Sequence, residues 1–220
     1  MTTLQLLASD GNTLSAYVVR PEGRPRGAIV VVQEIFGVNS HVRRVVEQYA
    51  AEGYVAIAPA MFDRFQKDVD LGYDAQGLEQ GVALMLRTTD ASTLADLDAA
   101  ITAVSHPGRV GIVGYCWGGR STYLAACRAN IAAGVAYYGG GMTQLLPDTP
   151  RCPMMFHFGE RDSHIPLTDV DQIRKANPQG IFHLYPAGHG FNCSERQDFD
   201  QSSAQIAFER TIEFFGKHVG

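Results

Sequence analysis

One cysteine of the sequence stands where a nucleophile could be presented. The stretch GIVGYCWGG places Cys116 midway between Gly114 and Gly118, after a short apolar run and before a helical pattern. Glycine–x–nucleophile–x–glycine is typical of a sharp turn from strand to helix, where larger flanking side chains would collide with the backbone. A helix N-terminus also favours a negative charge such as a thiolate. The alternative is a cysteine that is merely packed into a glycine-rich turn.

A thiol nucleophile needs a base, and the base needs a carboxylate to orient it. His189 lies between two glycines in PAGHGF, after the last predicted strand, and is the candidate base. Asp162 in GERD follows the preceding strand, and we prefer it to Glu160 because it lies deeper in the loop. It would hold the histidine tautomer and stabilise the imidazolium. The alternative for Asp162 is a solvated loop carboxylate, and His157, inside a strand pattern, is predicted to belong to the core.

The stretch VQEIFG ends the first long apolar run and supplies the remaining candidates. The backbone N–H groups of Ile35 and Trp117 could form an oxyanion hole. Glu34 would then lie near the thiol, where it could accept the S–H hydrogen bond. The alternative is that Glu34 forms an ion pair with a surface arginine.

These candidates require an α/β fold in which short buried strands alternate with helices. Alternation of this kind predicts a mostly parallel sheet with helices on both faces, with functional sites beyond the carboxyl ends of the strands. The predicted strands are 4–8, 14–20, 28–33, 54–58, 110–113, 132–137, 153–158 and 182–185. The predicted helices are 42–52, 78–86, 92–105 with Ser92 as N-cap, 119–129 and 201–218, and a polar loop is predicted after residue 158.

Composition limits the classes of protein that the sequence can encode. The 220 residues carry a net charge of −5, with 45% apolar and 19% charged residues, and no linker divides them, so we expect a single domain over 1–220. The acidic balance argues against nucleic acid as a partner. We see no signal peptide and no membrane-spanning run, and no two of the four cysteines have zinc-site or thioredoxin spacing. We therefore expect a monomeric, cytoplasmic protein with reduced cysteines and no metal.

The motifs QEIFG, GYCWGG, GERD followed by IP, and GHGF, in this order along the chain, resemble the dienelactone hydrolase family of α/β hydrolases. The resemblance covers almost the whole chain, from residue 4 to residue 215. It implies the α/β-hydrolase fold, hydrolysis of enol-lactones or related esters, and no metal or organic cofactor. It also implies a triad of Cys116, Asp162 and His189, and a glutamate, Glu34, that holds the proton of the resting thiol until substrate binds.

The sequence departs from the family at the substrate contacts. The best-known members clamp a substrate carboxylate with arginines, one of them four residues after the catalytic histidine, where this chain has Cys193. Arg196 and Arg87 are the nearest substitutes, although neither matches by position. The apolar candidates for the substrate pocket are Phe36, Tyr73, Trp117, Tyr138 and Phe191, each of which could equally be a core residue.

The main hypothesis is hydrolysis of a small-molecule ester or lactone through a thioester on Cys116. The second hypothesis is a non-catalytic or redox-sensing module of the same fold. In that case Cys116 would be an oxidisable thiol and Cys193 its resolving partner. A full acid–base set favours the hydrolase, because a redox sensor has no use for it.

Overall fold

The computed structural model describes residues 2–105 and 109–220, which form an eight-stranded sheet flanked by helices. Its strands are β1 Thr2–Leu7, β2 Thr13–Val19, β3 Ala28–Val32, β4 Val55–Pro59, β5 Val110–Tyr115, β6 Ala133–Tyr137, β7 Met154–Gly159 and β8 Ile181–Tyr185. Its helices are α1 Ser40–Ala51, α2 Ala75–Met85, α3 Asp90–Val104, α4 Trp117–Arg128, α5 Leu167–Ala176 and α6 Gln201–His218. Two 3₁₀ turns cover Met61–Arg64 and Met142–Leu145.

The strand order is β1-β2-β4-β3-β5-β6-β7-β8, and the sheet is parallel from β4 through β8. The hairpin of β1 and β2 adds an antiparallel edge beside β4. This arrangement confirms the α/β-hydrolase fold class that the sequence predicts. The carboxyl ends of β3, β5, β7 and β8 lie at one edge, and the segments that follow them carry all the candidate catalytic residues.

Helices cover both faces of the sheet, which explains why the central strands are apolar throughout. Successive residues of β3 alternate between the two sides: Ile29 and Val31 belong to the core shared with α1 and α6, whereas Val30 and Val32 belong to the core shared with α3. A strand buried on both faces needs apolar residues at every position. Among the described helices, none is both long enough and apolar enough to cross a lipid bilayer.

Several local predictions differ from the structure. Helix α2 begins at Ala75, three residues before the predicted start, where Asp74 caps it. Helix α3 begins at Asp90 because Thr89 caps it, while Ser92 closes a capping box as the third helical residue. Helix α4 begins at Trp117, two residues earlier than predicted, immediately after Cys116. The predicted polar loop contains α5, which buries only Val170 and Ile173 and therefore shows little apolar periodicity.

Candidate active site

A strained backbone presents the thiol. Cys116 joins β5 to α4 with φ 54° and ψ −119°, in the left-handed half of conformational space that side chains rarely adopt. Such a residue costs about 1–3 kcal/mol and persists only where the surrounding structure enforces it. A Cβ on Gly114 would lie 1.9 Å from the carbonyl oxygen of Gly118, and one on Gly118 would lie 2.4 Å from that of Val32. Both glycines are therefore required by close backbone approach, as the sequence pattern predicts.

Cys116, His189 and Asp162 form one hydrogen-bonded chain. The Nε2 atom of His189 lies 3.2 Å from the Sγ atom of Cys116, and its Nδ1 atom lies 2.8 Å from Oδ2 of Asp162. The other carboxylate oxygen of Asp162 accepts from the backbone N–H groups of His164 and Ile165, at 2.8 and 3.1 Å. These two hydrogen bonds hold the carboxylate in place. The carboxylate in turn orients the imidazole so that Nε2 faces the sulfur.

Electrostatics keep the imidazole protonated. Burial alone would lower the pKa of His189, but the hydrogen bonds to Asp162 and Cys116 outweigh burial and raise the pKa to about 10. At neutral pH the imidazolium donates from Nδ1 to the carboxylate and from Nε2 to the sulfur. A histidine placed between a sulfur and a carboxylate is suited to carry a proton to and from the reacting group.

Two candidate backbone donors belong to residues that line the same cavity as the thiol. Ile35, Trp117 and Cys116 all line it. Trp117 is the first residue of α4, so its N–H has no acceptor within the helix. In the described part of the chain neither amide donates to another backbone group. The geometry leaves both donors free for an oxygen of a bound molecule.

Glu34 is held by an arginine and a tyrosine instead of by the thiol. Its Oε2 atom accepts from the hydroxyl of Tyr73 at 2.9 Å, and its Oε1 atom lies 3.6 Å from Nη1 of Arg196. In the described structure Cys116 hydrogen-bonds with His189 and not with Glu34. The ion-pair alternative therefore describes Glu34 here, although Arg196 is largely buried and not on the surface.

The cavity in front of Cys116 has a volume of about 660 Å³. Of the predicted pocket residues, Phe36, Trp117 and Arg196 line it. Tyr73 lies behind Phe36, with ring centroids 4.4 Å apart, and reaches Glu34 instead.

The structure places three other predicted pocket residues away from the lining of this cavity. Tyr138 and Phe191 are fully buried, with Tyr138 packed edge-on against His189 from within the core. Tyr138, which follows β6, supports His189 from the core, and its ring packs against Phe191, which in turn contacts Tyr185 of β8. Arg87 stacks on Phe65, with its guanidinium 4.3 Å from the ring centroid, and does not line the cavity.

Sequence reasoning missed several wall residues. His164 lines the cavity and packs its ring edge-on against His189 at 4.8 Å. Arg120 and Asp90 form a 2.9 Å ion pair at the rim. The apolar wall comes from α2 and its C-terminal cap, and includes Leu78, Val82, Met85 and Leu86. Their i, i+4, i+7, i+8 spacing is visible in the sequence, but it does not tell a buried helix face from a pocket wall.

Among the described residues, one group could offer several metal ligands. Ligand atoms of Glu34, His41 and Cys193 lie within 4.8 Å of one another, and all three residues are buried. However, Arg196 already places a positive charge beside Glu34. A second cation there would be repelled, so the arrangement does not favour a metal.

The comparisons with known proteins show the family of the chain. Residues 14–219 match the model of the dienelactone hydrolase family. The chain belongs to the dienelactone hydrolase family. A carboxymethylenebutenolidase of Pseudomonas putida is 33% identical over 96% of this chain and 94% of its own length. A provisionally assigned carboxymethylenebutenolidase of Synechocystis is 34% identical over 97% of this chain and 96% of its own length.

Solved structures support the same family. A crystal structure of a provisionally assigned dienelactone hydrolase from Klebsiella pneumoniae superimposes with a TM-score of 0.86 and 30% identity, covering 99% of each chain. A dienelactone hydrolase-like phosphotriesterase from metagenomic libraries shares the fold, with a TM-score of 0.80 and 20% identity. The family resemblance predicted from the motifs is confirmed, and the chain is a hydrolase of this family.

Cysteine alkylation tests the environment of Cys116. Burial raises the pKa of Cys127, Cys152 and Cys193 to about 11 each. At pH 8 only about one in a thousand of each is therefore thiolate, and this fraction rises tenfold per pH unit until about pH 11. Iodoacetamide at pH 8 should modify Cys116 first, as read by peptide mass, and the other three only as pH rises. Modification of the partly buried Cys152 as fast as Cys116, which is also partly buried, would contradict this account.

Proposed function

We propose that this protein hydrolyses carboxylic esters or lactones, enol-lactones among them, through a thioester on Cys116. The hydrogen-bonded chain from sulfur through His189 to Asp162, on the wall of an open cavity, carries this proposal. A nucleophile, an acid–base group and its orienting carboxylate are the minimum set for acyl transfer. The membership of the family agrees with this reaction class.

In the first half-reaction the thiolate of Cys116 attacks the carbonyl carbon. A C–S bond forms, and the π electron pair moves to the carbonyl oxygen, which the N–H groups of Ile35 and Trp117 stabilise. When the carbonyl re-forms, the C–O bond to the leaving group breaks. The Nε2–H of His189 donates its proton to the departing oxygen, which leaves as an alcohol or enol.

In the second half-reaction water hydrolyses the thioester. The neutral His189 takes a proton from water as the oxygen attacks the thioester carbonyl. Collapse of this intermediate breaks the C–S bond, releases the carboxylic acid and restores the thiolate beside an imidazolium. Throughout, Asp162 keeps Nδ1 protonated and the ring in place.

Arg196 is the proposed contact for a negatively charged substrate group. It lines the cavity, and its guanidinium lies 5.9 Å from the ring centroids of both Phe36 and Tyr73. A Cβ on Gly190 would lie 2.7 Å from the arginine side chain, so this glycine makes room for it. A substrate carboxylate would share Arg196 with Glu34, whose proposed part is to hold this cation and so respond to substrate binding.

The redox-sensing alternative loses support at its proposed resolving residue. Cys193 is fully buried, and burial together with nearby Glu34 raises its pKa to about 11. A neutral, enclosed thiol resolves a sulfenic acid poorly. The cytoplasmic location, the single domain, the monomeric state and the absence of nucleic-acid partners stay predictions from the sequence.

Replacement of the nucleophile tests the proposed reaction. Cys116→Ala removes the sulfur that is hydrogen-bonded to His189, so kcat/KM for an aryl ester or enol-lactone should fall by at least about a thousandfold. Cys152→Ser, which removes a thiol that does not line the cavity, should keep wild-type turnover. Wild-type turnover by Cys116→Ala would end the proposal.

Replacement of the arginines tests the charged substrate contact. Arg196→Gln should lower kcat/KM for a carboxylate-bearing lactone by about ten- to a hundredfold relative to a neutral ester, because one charge-assisted hydrogen bond is lost. Arg87→Gln removes the same charge away from the cavity and is the matched control. Equal losses for the charged and neutral substrates would show that Arg196 does not contact the substrate carboxylate.

A further inference from the structure

One face of α2 leaves apolar side chains open to the cavity. Leu78 is 48% exposed, and Leu86, at the C-terminal cap, is 74% exposed. Val82 and Met85 complete the face, and all four line the cavity that contains Cys116. Large apolar side chains grouped at a cavity mark a binding surface more often than scattered ones do.

Close packing fixes this face beside the proposed oxyanion loop. A Cβ on Gly81 would lie 2.3 Å from the carbonyl oxygen of Ile35, so only glycine lets α2 approach the loop so closely. A Cβ on Gly77 would lie 2.0 Å from the carbonyl oxygen of Gly72, which anchors the first turn in the same way. The apolar face therefore begins at the reaction centre and does not form a separate groove.

The arrangement of the three substituents around the substrate's carbonyl carbon indicates which part of a substrate can reach α2. The departing oxygen must face Nε2 of His189, on the side where His164 also lies. The oxyanion must face Ile35 and Trp117. The acyl chain is the remaining substituent, and the face of α2, which packs against the Ile35 loop through Gly81, is an apolar wall of the same cavity that this chain can reach.

The cavity is larger than a small lactone needs. Its volume of about 660 Å³ lies within the roughly 300–1,000 Å³ typical of sites for drug-sized ligands. From Leu78 to Leu86 the helix rises about 12 Å, which is enough to contact an acyl chain of about eight carbons.

We propose that the α2 face, formed by Leu78, Val82, Met85 and Leu86, binds a hydrocarbon acyl arm, so that medium-chain acyl esters and alkyl-substituted lactones are preferred substrates. The inference rests on the proposed function, because the arm is positioned by acyl transfer at Cys116. The ion pair of Arg120 and Asp90 bounds the same cavity at its rim. Polar groups there and apolar groups on α2 suit a substrate that is apolar along only one side.

A chain-length series tests this assignment. With p-nitrophenyl esters, kcat/KM should rise about two- to fourfold per methylene from acetate to octanoate, since each methylene leaves water for the α2 face. Ethyl to octyl esters of acetic acid, which lengthen the alcohol instead, should show a flatter series. A flat acyl series, or a steeper alcohol series, overturns the assignment.

A double variant on α2 and a control variant on β1 test whether the α2 face causes the chain-length preference. The double variant Val82→Ser with Leu86→Ser should lower the octanoate-to-acetate ratio of kcat/KM by about tenfold or more. Leu7→Ser is the matched control, because Leu7 is 70% exposed on β1 and does not line the cavity, and it should keep the ratio. An unchanged ratio in the double variant contradicts the proposal. If Cys116→Ala is inactive while the acyl series is flat, this inference alone fails and the proposed hydrolase remains.

Discussion

The site depends on the close approach of β5 and α4 on either side of Cys116. The two flanking glycines bring backbone atoms together at distances that no other residue allows, and this contact holds the cysteine at φ 54°. The turn points the sulfur into the cavity and places the free N–H of Trp117 beside it. Relief of that strain would move the thiol of Cys116 and the N–H of Trp117 together, so the proposed nucleophile and the proposed oxyanion donor depend on the same turn.

Around the turn, charge is arranged as two buried pairs. Asp162 and His189 form one, and the raised pKa of the imidazole follows from its bonds to the carboxylate and the sulfur. Glu34 and Arg196 form the other, with Tyr73 as a further donor. A buried charge is costly unless it is paired, so each pair restrains its members in position. In the proposed function the first pair serves the chemistry, whereas the second exchanges partners with a charged substrate.

The fold and the meeting of the candidate triad could be predicted from the sequence because both depend on local patterns. Apolar runs marked the buried strands, and the motifs around Cys116, Asp162 and His189 each follow a strand whose carboxyl end lies at the same edge. The roles of these residues in catalysis stay proposals.

Pocket residues were harder to predict because the direction in which a side chain points after a strand depends on tertiary packing. Tyr138 and Phe191 follow strands as Phe36 does, yet they pack into the core while Phe36 lines the cavity. Arg87 and Arg196 are both basic, but only tertiary contacts place one on Phe65 and the other beside Glu34. Helix α5 was not predicted because a helix that buries only two side chains shows little apolar periodicity in its sequence.

The most direct test of the central claim is the mass of the enzyme during turnover. Rapid acid quenching of the reaction with an aryl ester, followed by peptide mass analysis, should show one acyl group on Cys116, removable by hydroxylamine. The same experiment with His189→Ala should show slower acylation of the same residue. An acyl group on another residue would contradict the account. Product formation with no acyl group on the enzyme at any quench time would contradict it as well.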